Sequence, residues 1–421
     1  MVRGCDMSKQ VAIIGGGVIG MASAYALVRA GHQVTLIEAQ TQPGLETSFA
    51  NGGQLSYRYV SPLPDAGVPL KAIAWMLQGA SAPLQFRPRL STEQWQWCLN
   101  FLAACRRSVN QRNGGHLLRL ALYSQAVLQQ WREQDGLDGF AWKRNGKLVV
   151  YRSQATFATA AGKIAEGDEQ RALSVDECLA LEPALTDVAG KLAGGIFSAS
   201  DEAADCFLFC QALEQRLQAS GRYWRLRDQV TGTRHEGSRI KVLTLANGSE
   251  LEADEFILAA GNGSQAIAAP LGIKLGLYPL KGYSLSLPAA NGDGCPQISV
   301  TDFDRKTVYA RLGGQLRVAA MVDIGARDNQ VDPRRMQALR VNCEETFPRA
   351  GRYAEAREWA GQRPSTATGT PLLGATPYDN FWLNVGHGSL GFTLACASGQ
   401  ILAELIGGAA SPIDLTGLRA G

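Results

Sequence analysis

Four glycines and one carboxylate near the start of the chain have the types and the spacing needed to hold a dinucleotide. Residues 15–20 match the pattern G-x-G-x-x-G, and Glu38 follows at the end of the next apolar stretch. Gly15 permits a tight turn, Gly17 lets the backbone approach a pyrophosphate, and Gly20 allows a helix to pack closely on a strand. Glu38 would accept hydrogen bonds from ribose hydroxyls and disfavours a 2′-phosphate. The motif predicts a site for the ADP half of a dinucleotide, although a glycine-rich turn without a ligand shares this spacing.

Two later segments favour FAD over NAD, which the shared ADP half cannot distinguish. Residues 46–54, ETSFANGGQ, place small and hydroxyl-bearing side chains where a loop can lie between a pyrophosphate and a flat ring. Residues 386–393, GHGSLGFT, lead into a last helix near the end of the chain. The amino terminus of that helix would stabilise negative charge on the pyrimidine end of a reduced flavin. An NAD enzyme has no use for this late element, and we therefore expect FAD.

The elements that must position these residues follow from the apolar pattern. Residues 10–15 predict a buried strand, 17–30 a helix and 32–38 a second strand, which together form a βαβ unit with parallel pairing. Alternating strands between 276 and 322 indicate an antiparallel sheet. Further strands are predicted at 142–151, 194–198, 241–245, 250–258 and 381–385. Helices are predicted over most of 68–128 and at 207–220, 334–346 and the end of the chain.

The order of these signals predicts the domain organisation. At 421 residues the chain exceeds the usual size of a single core. Parallel-sheet signals at both ends and near residue 258 alternate with antiparallel ones, which predicts an α/β protein with a discontinuous, Rossmann-like FAD-binding domain and an inserted antiparallel-sheet substrate domain. Residues 9–65, 200–275 and 355–421 are assigned to the FAD-binding domain. Residues 66–199, with a helical insertion, and 276–354 are assigned to the substrate domain.

Composition argues against several other classes of protein. The formal charge of +3, without a basic run that contains aromatic residues, argues against nucleic-acid binding. Nine cysteines without ligand spacing and only four histidines predict no metal site and reduced thiols in a cytoplasmic protein. Residues 11–28 carry no charge, but their glycines favour a strand, a turn and a helix over a membrane span. No secretory leader is recognised, and the sequence sets no oligomeric state.

At these residues the chain resembles the small subunit of bacterial D-amino acid dehydrogenases, within the D-amino acid oxidase and glycine oxidase superfamily. The resemblance extends from Val11 to about Leu405. The last two of the segments that carry it are the most specific. The segments are VAIIGGGVIGMASAYALVRAGHQVTLIE, LETSFANGGQLS, GVPLKAIAWM, YPLKGYSL and WLNVGHGSLGFTLACASGQ.

The resemblance implies a set of FAD contacts by position. Cys396 lies within the predicted final helix, where a core residue is expected rather than a covalent tether, so FAD is expected to bind non-covalently. The implied contacts, and flanking residues of the same loops, are Gly15, Gly17, Val18, Ile19, Gly20, Glu38, Ala39, Thr47, Ser48, Asn51, Gly52, Gly53, Gln54, Val230, Ala260, Gly261, Gly388, Leu390, Gly391, Phe392 and Thr393.

The resemblance also implies a substrate site and a reaction. Arg363, in GQRP, would bind the substrate carboxylate through its guanidinium fork, unless it forms a structural ion pair. A small D-amino acid would then pass a hydride from Cα to flavin N5, and water would hydrolyse the imino acid to a 2-oxo acid and ammonia. Positioning supplies most of the rate without a strong protein base. His387, Tyr57, Tyr283 and Tyr309 are candidates for orienting the substrate, although packing explains each tyrosine at least as well.

Two stretches depart from the family pattern near the expected substrate and flavin. Residues 366–369, TATG, stand where the family has a sequence similar to TPDG, and Phe392 stands in place of a tryptophan. Both departures bear on which substrate is preferred.

The resemblance implies that the electrons pass to a quinone or another acceptor rather than to oxygen. Residues 68–105, with Lys71, Trp75, Met76, Trp95 and Trp97, could lie on the cytoplasmic face of the inner membrane as an amphipathic patch. A helix packed on the protein's own core explains the pattern equally well. The alternatives left open are an oxygen-using oxidase of glycine, sarcosine or a cyclic imino acid, a flavoprotein subunit inactive alone, and an NAD-dependent dehydrogenase.

Overall fold

The computed structural model describes residues 8–69, 75, 78–165 and 167–419. Its strands are, in chain order, β1 (Gln10–Ile14), β2 (Gln33–Glu38), β3 (Gln54–Leu55), β4 (Leu84–Phe86), β5 (Lys147–Tyr151), β6 (Arg171–Leu173), β7 (Gly194–Ser198), β8 (Glu202–Ala203), β9 (Tyr223–Arg227), β10 (Val230–Glu236), β11 (Arg239–Leu245), β12 (Glu250–Glu252), β13 (Glu255–Leu258), β14 (Leu277–Pro288), β15 (Ser299–Asp302), β16 (Thr307–Leu312), β17 (Gln315–Ile324), β18 (Arg357–Thr366), β19 (Leu372–Ala375) and β20 (Phe381–Val385). Its helices are α1 (Val18–Arg29), α2 (Thr92–Ala104), α3 (Arg107–Asp135), α4 (Gln154–Ala161), α5 (Val175–Leu181), α6 (Cys206–Ala219), α7 (Ser264–Ala268), α8 (Pro333–Thr346) and α9 (Gly391–Ile406).

A parallel sheet joins distant parts of the chain. Its order is β19-β20-β13-β1-β2-β9, and every neighbouring pair is parallel except β19 with β20. The predicted βαβ unit is present, because β1 and β2 pair in parallel on either side of α1. Apolar residues from both strands pack with α1, α3, α6 and α9 in one continuous core. The discontinuous α/β fold is therefore confirmed.

A second, larger sheet carries the other half of the fold. Its order is β18-β14-β17-β16-β15-β5-β7-β6, with β4 also paired to β17. Most neighbours are antiparallel, as predicted, but β5 with β15 and β4 with β17 are parallel. These two exceptions arise because β4 and β5 come from the earlier insertion, and so reach the sheet by long connections rather than by hairpins.

The position of β18 differs from the predicted domain boundary at residue 355. β18 pairs with β14 over ten residues, from Leu277 opposite Thr366 to Ser286 opposite Arg357. It therefore belongs to the larger sheet, although residues 355–421 were assigned to the FAD-binding domain. The chain returns to the parallel sheet only with β19 and β20. Alternating strands look alike in either sheet, so the sequence pattern does not show where the crossing occurs.

The long helix α3 covers the carboxyl-terminal helix α9. α3 and α9 pack against each other, and α9 also packs against α1. In the described part of the chain, the helical stretch Gly388–Ile406, which is α9 with the turn before it, is long and apolar enough to cross a membrane by length and composition. However, 67% of its apolar 18-residue window is buried in the protein. Of the predicted amphipathic patch, Trp97 is buried and donates a hydrogen bond to the Ser365 carbonyl (3.0 Å). Lys71 and Met76 lie outside the described residues.

Candidate active site

The turn between β1 and α1 has the shape that a pyrophosphate requires. Gly15 has φ +103°, and a Cβ there would lie 2.6 Å from the Ala259 carbonyl oxygen. A Cβ on Gly20 would overlap the Gly15 carbonyl oxygen. Gly17, in contrast, has open space beside it, since a Cβ there would have Ser48 Oγ as its nearest neighbour, at 3.6 Å. The first turn of α1 contains no acidic residue and Gly17 offers no capping side chain, so its N–H groups suit a bound phosphate.

Glu38 lies beside this turn, at the end of β2. Its carboxylate accepts hydrogen bonds from the N–H groups of Gly16 (2.6 Å) and Gln40 (2.7 Å). Ala39 lies between Glu38 and Gln40 in the chain. The Glu38 carbonyl oxygen accepts a hydrogen bond from Asp228 N (3.1 Å), and Asp228 lies two residues before Val230. The predicted ribose-binding acid is therefore brought to the turn and held there by backbone donors.

The loop at 46–54 links the two sheets. Thr47 Oγ1 donates to the Gln362 carbonyl in β18 (2.6 Å), and Asn262 Nδ2 donates to the same oxygen (2.9 Å). Asn262 directly follows Ala260 and Gly261, the turn after β13. Ser48 Oγ accepts a bond from Val18 N at the start of α1 (3.1 Å). The predicted contacts at 47–48 and 260–261 thus meet at one point between the sheets.

The glycines of the same loop allow it to lie directly on the larger sheet. A Cβ on Gly52 would lie 2.9 Å from a Val308 methyl, and one on Gly53 would lie 2.6 Å from a Leu312 methyl. Gly53 N donates to Asn51 Oδ1 (3.0 Å), and Gln54 Nε2 donates to the Val300 carbonyl (3.1 Å). Side chains at 52 and 53 would therefore push the loop away from β16.

The carboxyl-terminal loop provides a second helix end without a cap. α9 begins at Gly391 after Leu390, with no capping side chain and no acidic residue in its first turn. Gly388 has φ +55°, which places it in the left-handed region that favours glycine. Phe392 and Thr393 are buried at the start of the helix, and Ile19 and Leu390 border the same apolar core. This helix end fits the negative pyrimidine end of a reduced flavin.

His387 precedes that helix in fully enclosed surroundings. Burial lowers the pKa of His387 to about 3. Its Nε2 lies 3.0 Å from Ser398 Oγ, inside α9. The imidazole is therefore neutral at ordinary pH and orients the loop at 386–393 rather than supplying a positive charge.

Arg363 points into a small cavity at the junction of the two sheets. Its guanidinium donates one hydrogen bond, from Nη1 to the Met321 carbonyl (3.2 Å), and has no ion pair within the described residues. Burial lowers the pKa of Arg363, with no carboxylate to offset it. A guanidinium without a counter-ion in a partly enclosed site favours a bound anion. The cavity, of about 50 Å³, is lined by Ser61, Leu63, Leu280, Val322, Arg363, Ser365, Thr366, Gly369, Gly386, His387, Gly388, Ser389 and Leu390.

The three predicted tyrosines do not line this cavity. Tyr57 OH donates to Glu202 (3.1 Å), and Tyr283 OH donates to Asp323 (2.9 Å). Tyr309 packs edge-on against Phe347, with ring centroids 4.9 Å apart. Side chains alternate along a strand, so Tyr283 lies on the opposite face of β14 from its neighbour Gly282, which faces Arg363. The structure thus brings Arg363 and His387 together and leaves the tyrosines in polar or aromatic contacts elsewhere.

Sequence reasoning missed the apolar residues of the cavity. Leu280 lies inside the YPLKGYSL segment, but Leu63 and Val322 carry no local signal. A larger cavity of about 290 Å³ lies between residues 45–47 and the edge of β18, and Glu46 and Glu358 are among the residues that line it. Among the described residues that lining contains no Lys or Arg to bind a carboxylate, so the cavity at Arg363 is the better substrate site. Within the described residues, no group of three or more potential ligands could hold a metal ion.

Known proteins match the chain over nearly its whole length. The family described as DAO, FAD dependent oxidoreductase, matches residues 10–405. The chain is 54% identical over 413 residues to D-amino acid dehydrogenase 2 of Pseudomonas aeruginosa, covering 98% of each protein. It is 44% identical to D-amino acid dehydrogenase 2 of Ralstonia nicotianae, covering 94% of this chain and 96% of that one.

Solved structures share the fold at lower identity. Glycine oxidase from Geobacillus kaustophilus has a TM-score of 0.73 at 22% identity, with 98% of each chain covered. L-Proline dehydrogenase from P. horikoshii has a TM-score of 0.73 at 18% identity, with 98% of this chain and 97% of that one covered. The two uncapped helix ends and the glycine turn fit the cofactor of this fold. The chain belongs to the family of FAD-dependent oxidoreductases that includes these D-amino acid dehydrogenases, and FAD is its cofactor.

Proposed function

We propose that the protein is a D-amino acid dehydrogenase that converts a small D-amino acid to a 2-oxo acid and ammonia. The observation that carries this proposal is the guanidinium of Arg363, which lies in a cavity beside the flavin-binding loop without a carboxylate partner. The names of the two close relatives support the choice of D-amino acids. The fold alone would equally suit glycine or an imino acid.

The residues of the cavity define how the substrate is held. Arg363 binds the carboxylate through two hydrogen bonds and so fixes the orientation of Cα. The bound FAD supplies the two-electron acceptor for the hydride that leaves Cα. His387 remains neutral, and among the described residues the cavity lining contains no carboxylate or lysine that could act as a base. The amine must therefore lose its proton to water before or during binding, and water then hydrolyses the imino acid.

The experiment that tests this function is anaerobic bleaching of the visible flavin band by paired D- and L-amino acids. Bleaching by D-enantiomers alone is the expected result. A yellow protein bleached only by glycine, sarcosine or a cyclic imino acid would replace the proposal with the alternative substrates. Mixing the reduced protein with air or with a short-chain quinone then separates an oxidase from the proposed quinone-linked dehydrogenase, because only an oxidase reoxidises rapidly in air.

We also propose that the protein lies peripherally on the cytoplasmic face of the inner membrane, where a quinone is available. Three apolar side chains on the outer face of α2 support this: Trp95, Leu99 and Leu102 are 47%, 66% and 51% exposed. They recur at helical spacing and form one stripe. Arg106 and Arg107 follow at the end of the helix and are exposed. An apolar stripe next to basic residues favours an anionic lipid surface.

Vesicle sedimentation tests this contact. The double variant Leu99→Ser/Leu102→Ser is expected to lose most of its binding to vesicles that contain anionic lipid, with unchanged turnover of a soluble electron acceptor. Trp224→Ser is the matched control, because Trp224 is 50% exposed but lies on β9 of the other sheet. Equal sedimentation of the double variant, the control and the parent protein would show that α2 does not contact the membrane.

A further inference from the structure

β17 contains a bulge opposite Gly282 of β14, the residue against which the Arg363 guanidinium lies. Lys281 pairs with Asp323 and Tyr283 pairs with Ala320, so Met321 and Val322 together oppose Gly282. Met321 has φ +68°, a left-handed conformation that is rare for a non-glycine residue within a strand. Such a conformation persists only where surrounding contacts enforce it, and it is commonly found at functional sites.

The bulge turns one backbone carbonyl toward the guanidinium. The Met321 carbonyl accepts the hydrogen bond from Arg363 Nη1 (3.2 Å), which is the one hydrogen bond of this side chain among the described residues. In a regular strand this carbonyl would pair with a neighbouring strand. The next residue, Val322, lines the cavity beside Arg363. The irregular backbone thus serves both the arginine and the wall of its cavity.

Gly282 supplies the space that the guanidinium occupies. A Cβ at this position would overlap Arg363 Nη2, and its distances to Arg363 Cζ and Nη1 would be 2.5 and 2.8 Å. Glycine inside a strand usually weakens it and often marks close approach of another group. Here the approaching group is the arginine head, which lies against the backbone of β14 at Gly282.

Both sides of the bulge are anchored. Val322 N donates to the Pro83 carbonyl (2.9 Å), just before β4. Asp323 is fully buried, forms an ion pair with Arg335 on α8 (2.8 Å) and accepts a hydrogen bond from Tyr283 OH (2.9 Å). Tyr283 does not line the cavity itself and is linked to the bulged strand through Asp323. These contacts hold the Met321 carbonyl in place from the helix side and from the insertion side.

We infer that Gly282 and the Met321 bulge are positioning elements that set the angle and depth of the Arg363 guanidinium, and thereby select for a ligand carboxylate. The inference deepens the proposed function and rests on it only for the identity of the substrate. It assigns Gly282, Met321 and Tyr283 to positioning, since none of them lines the cavity.

A double-mutant cycle tests the role of Gly282. Gly282→Ala, Arg363→Lys and the combined variant are compared as FAD-loaded proteins by titration with acetate, followed through the flavin absorbance, and by steady-state kinetics with D-alanine. Gly282→Ala is expected to raise the acetate Kd and the D-alanine KM by at least about tenfold, with a smaller change in kcat. In the Arg363→Lys background, Gly282→Ala is expected to raise the acetate Kd and the D-alanine KM by less than about twofold, because the slender lysine head does not need that space. Gly314→Ala, on the β16–β17 hairpin with open space around it, is the control.

Equal losses in both backgrounds, or no loss in either, would overturn the inference, because the methyl group would then act independently of Arg363. Acetate binding does not require turnover. A protein that D-alanine fails to bleach but whose acetate affinity follows the cycle would therefore contradict the proposed function and leave the positioning role intact.

A second pair of variants tests the bulge even if Gly282→Ala does not fold. Met321→Gly keeps the left-handed conformation but removes the buried side chain, whereas Met321→Val keeps more volume but disfavours that conformation. If the conformation positions Arg363, Met321→Val weakens acetate binding more than Met321→Gly. If Met321 matters only by packing, the order is reversed, and the inference fails.

Discussion

His387 Nε2 lies 3.0 Å from Ser398 Oγ, and both groups are buried between the flavin-binding loop and the interior of α9. No acid or base contributes to the shift of the histidine, and burial alone lowers its pKa to about 3. The contact fixes the loop to the helix whose end faces the flavin. A neutral imidazole suits this task, because a positively charged one would repel the Arg363 guanidinium and compete with it for the substrate carboxylate.

The first prediction concerns stability against pH. The folded protein holds His387 neutral, while the unfolded chain protonates it below its ordinary pKa of 6.5. The neutral histidine therefore contributes to the free energy of unfolding. This contribution is complete above pH 6.5 and is lost as the pH falls toward 3, by roughly 1.4 kcal/mol per pH unit. Urea unfolding of the parent protein and of His387→Gln at pH 7.5, 6.0 and 4.5 should show a steeper loss in the parent protein. Parallel losses would contradict the buried neutral state.

The second prediction concerns the carboxylate contact. Arg363→Leu should lower kcat/KM for D-alanine by about 100-fold or more, equivalent to roughly 3 kcal/mol, because the substrate anion would lose the cationic partner that Arg363 provides in the cavity. The ratio of flavin to protein should not change. Steady-state kinetics with a soluble acceptor measures the loss, and activity within a few-fold of the parent enzyme would place the carboxylate elsewhere.

The third prediction concerns substrate selectivity. Leu63, Leu280 and Val322 line the cavity, and Arg363 is the one charged residue of that lining in the described part of the chain. A charged substrate side chain would be buried without a partner, which is costly. D-Alanine and D-valine should therefore have kcat/KM values at least about 100-fold higher than D-glutamate and D-lysine. Comparable values for D-lysine would point to an acid that reaches the cavity only when substrate is bound.

The fourth prediction separates two glycines of the same turn. Gly17→Ala should fold normally but lose most of its FAD, because its methyl group meets no protein atom closer than Ser48 Oγ at 3.6 Å and instead enters the phosphate site. Gly20→Ala should lower the melting temperature even without FAD, because its methyl group overlaps the Gly15 carbonyl oxygen. Flavin absorbance and thermal unfolding of the apoproteins distinguish the two, and identical behaviour would refute the division of roles.

The parts of the fold that depend on local pattern could be predicted from the sequence. The turn at Gly15, the helix that follows and the acid at Glu38 lie within about one βαβ unit, where spacing determines geometry. β18 could not be assigned to its sheet, because its partner β14 is far away in the chain and either sheet would accept the same alternation.

The residues of the candidate site likewise fall into those that the sequence could predict and those that it could not. The family resemblance implies roles for Arg363 and His387, and both residues lie at the cavity. The tyrosines at 57, 283 and 309 were plausible by chemistry, but the face of a strand on which each lies depends on register and bulges. The bulge at Met321 has no sequence signal, since methionine is ordinary in a strand and only the pairing of Gly282 across the sheet explains it.

The chain order of the parallel sheet constrains how the protein is made. β1 lies between β2 and β13, and Asn384 on β20 bonds to Ser23 on α1, a separation of 361 residues. During synthesis the glycine turn emerges first, but the strands and the helix that support it emerge last. Contacts of such long range form slowly. The cofactor cleft can therefore assemble only after α9 has been synthesised, and FAD is expected to bind after that helix has joined the glycine turn.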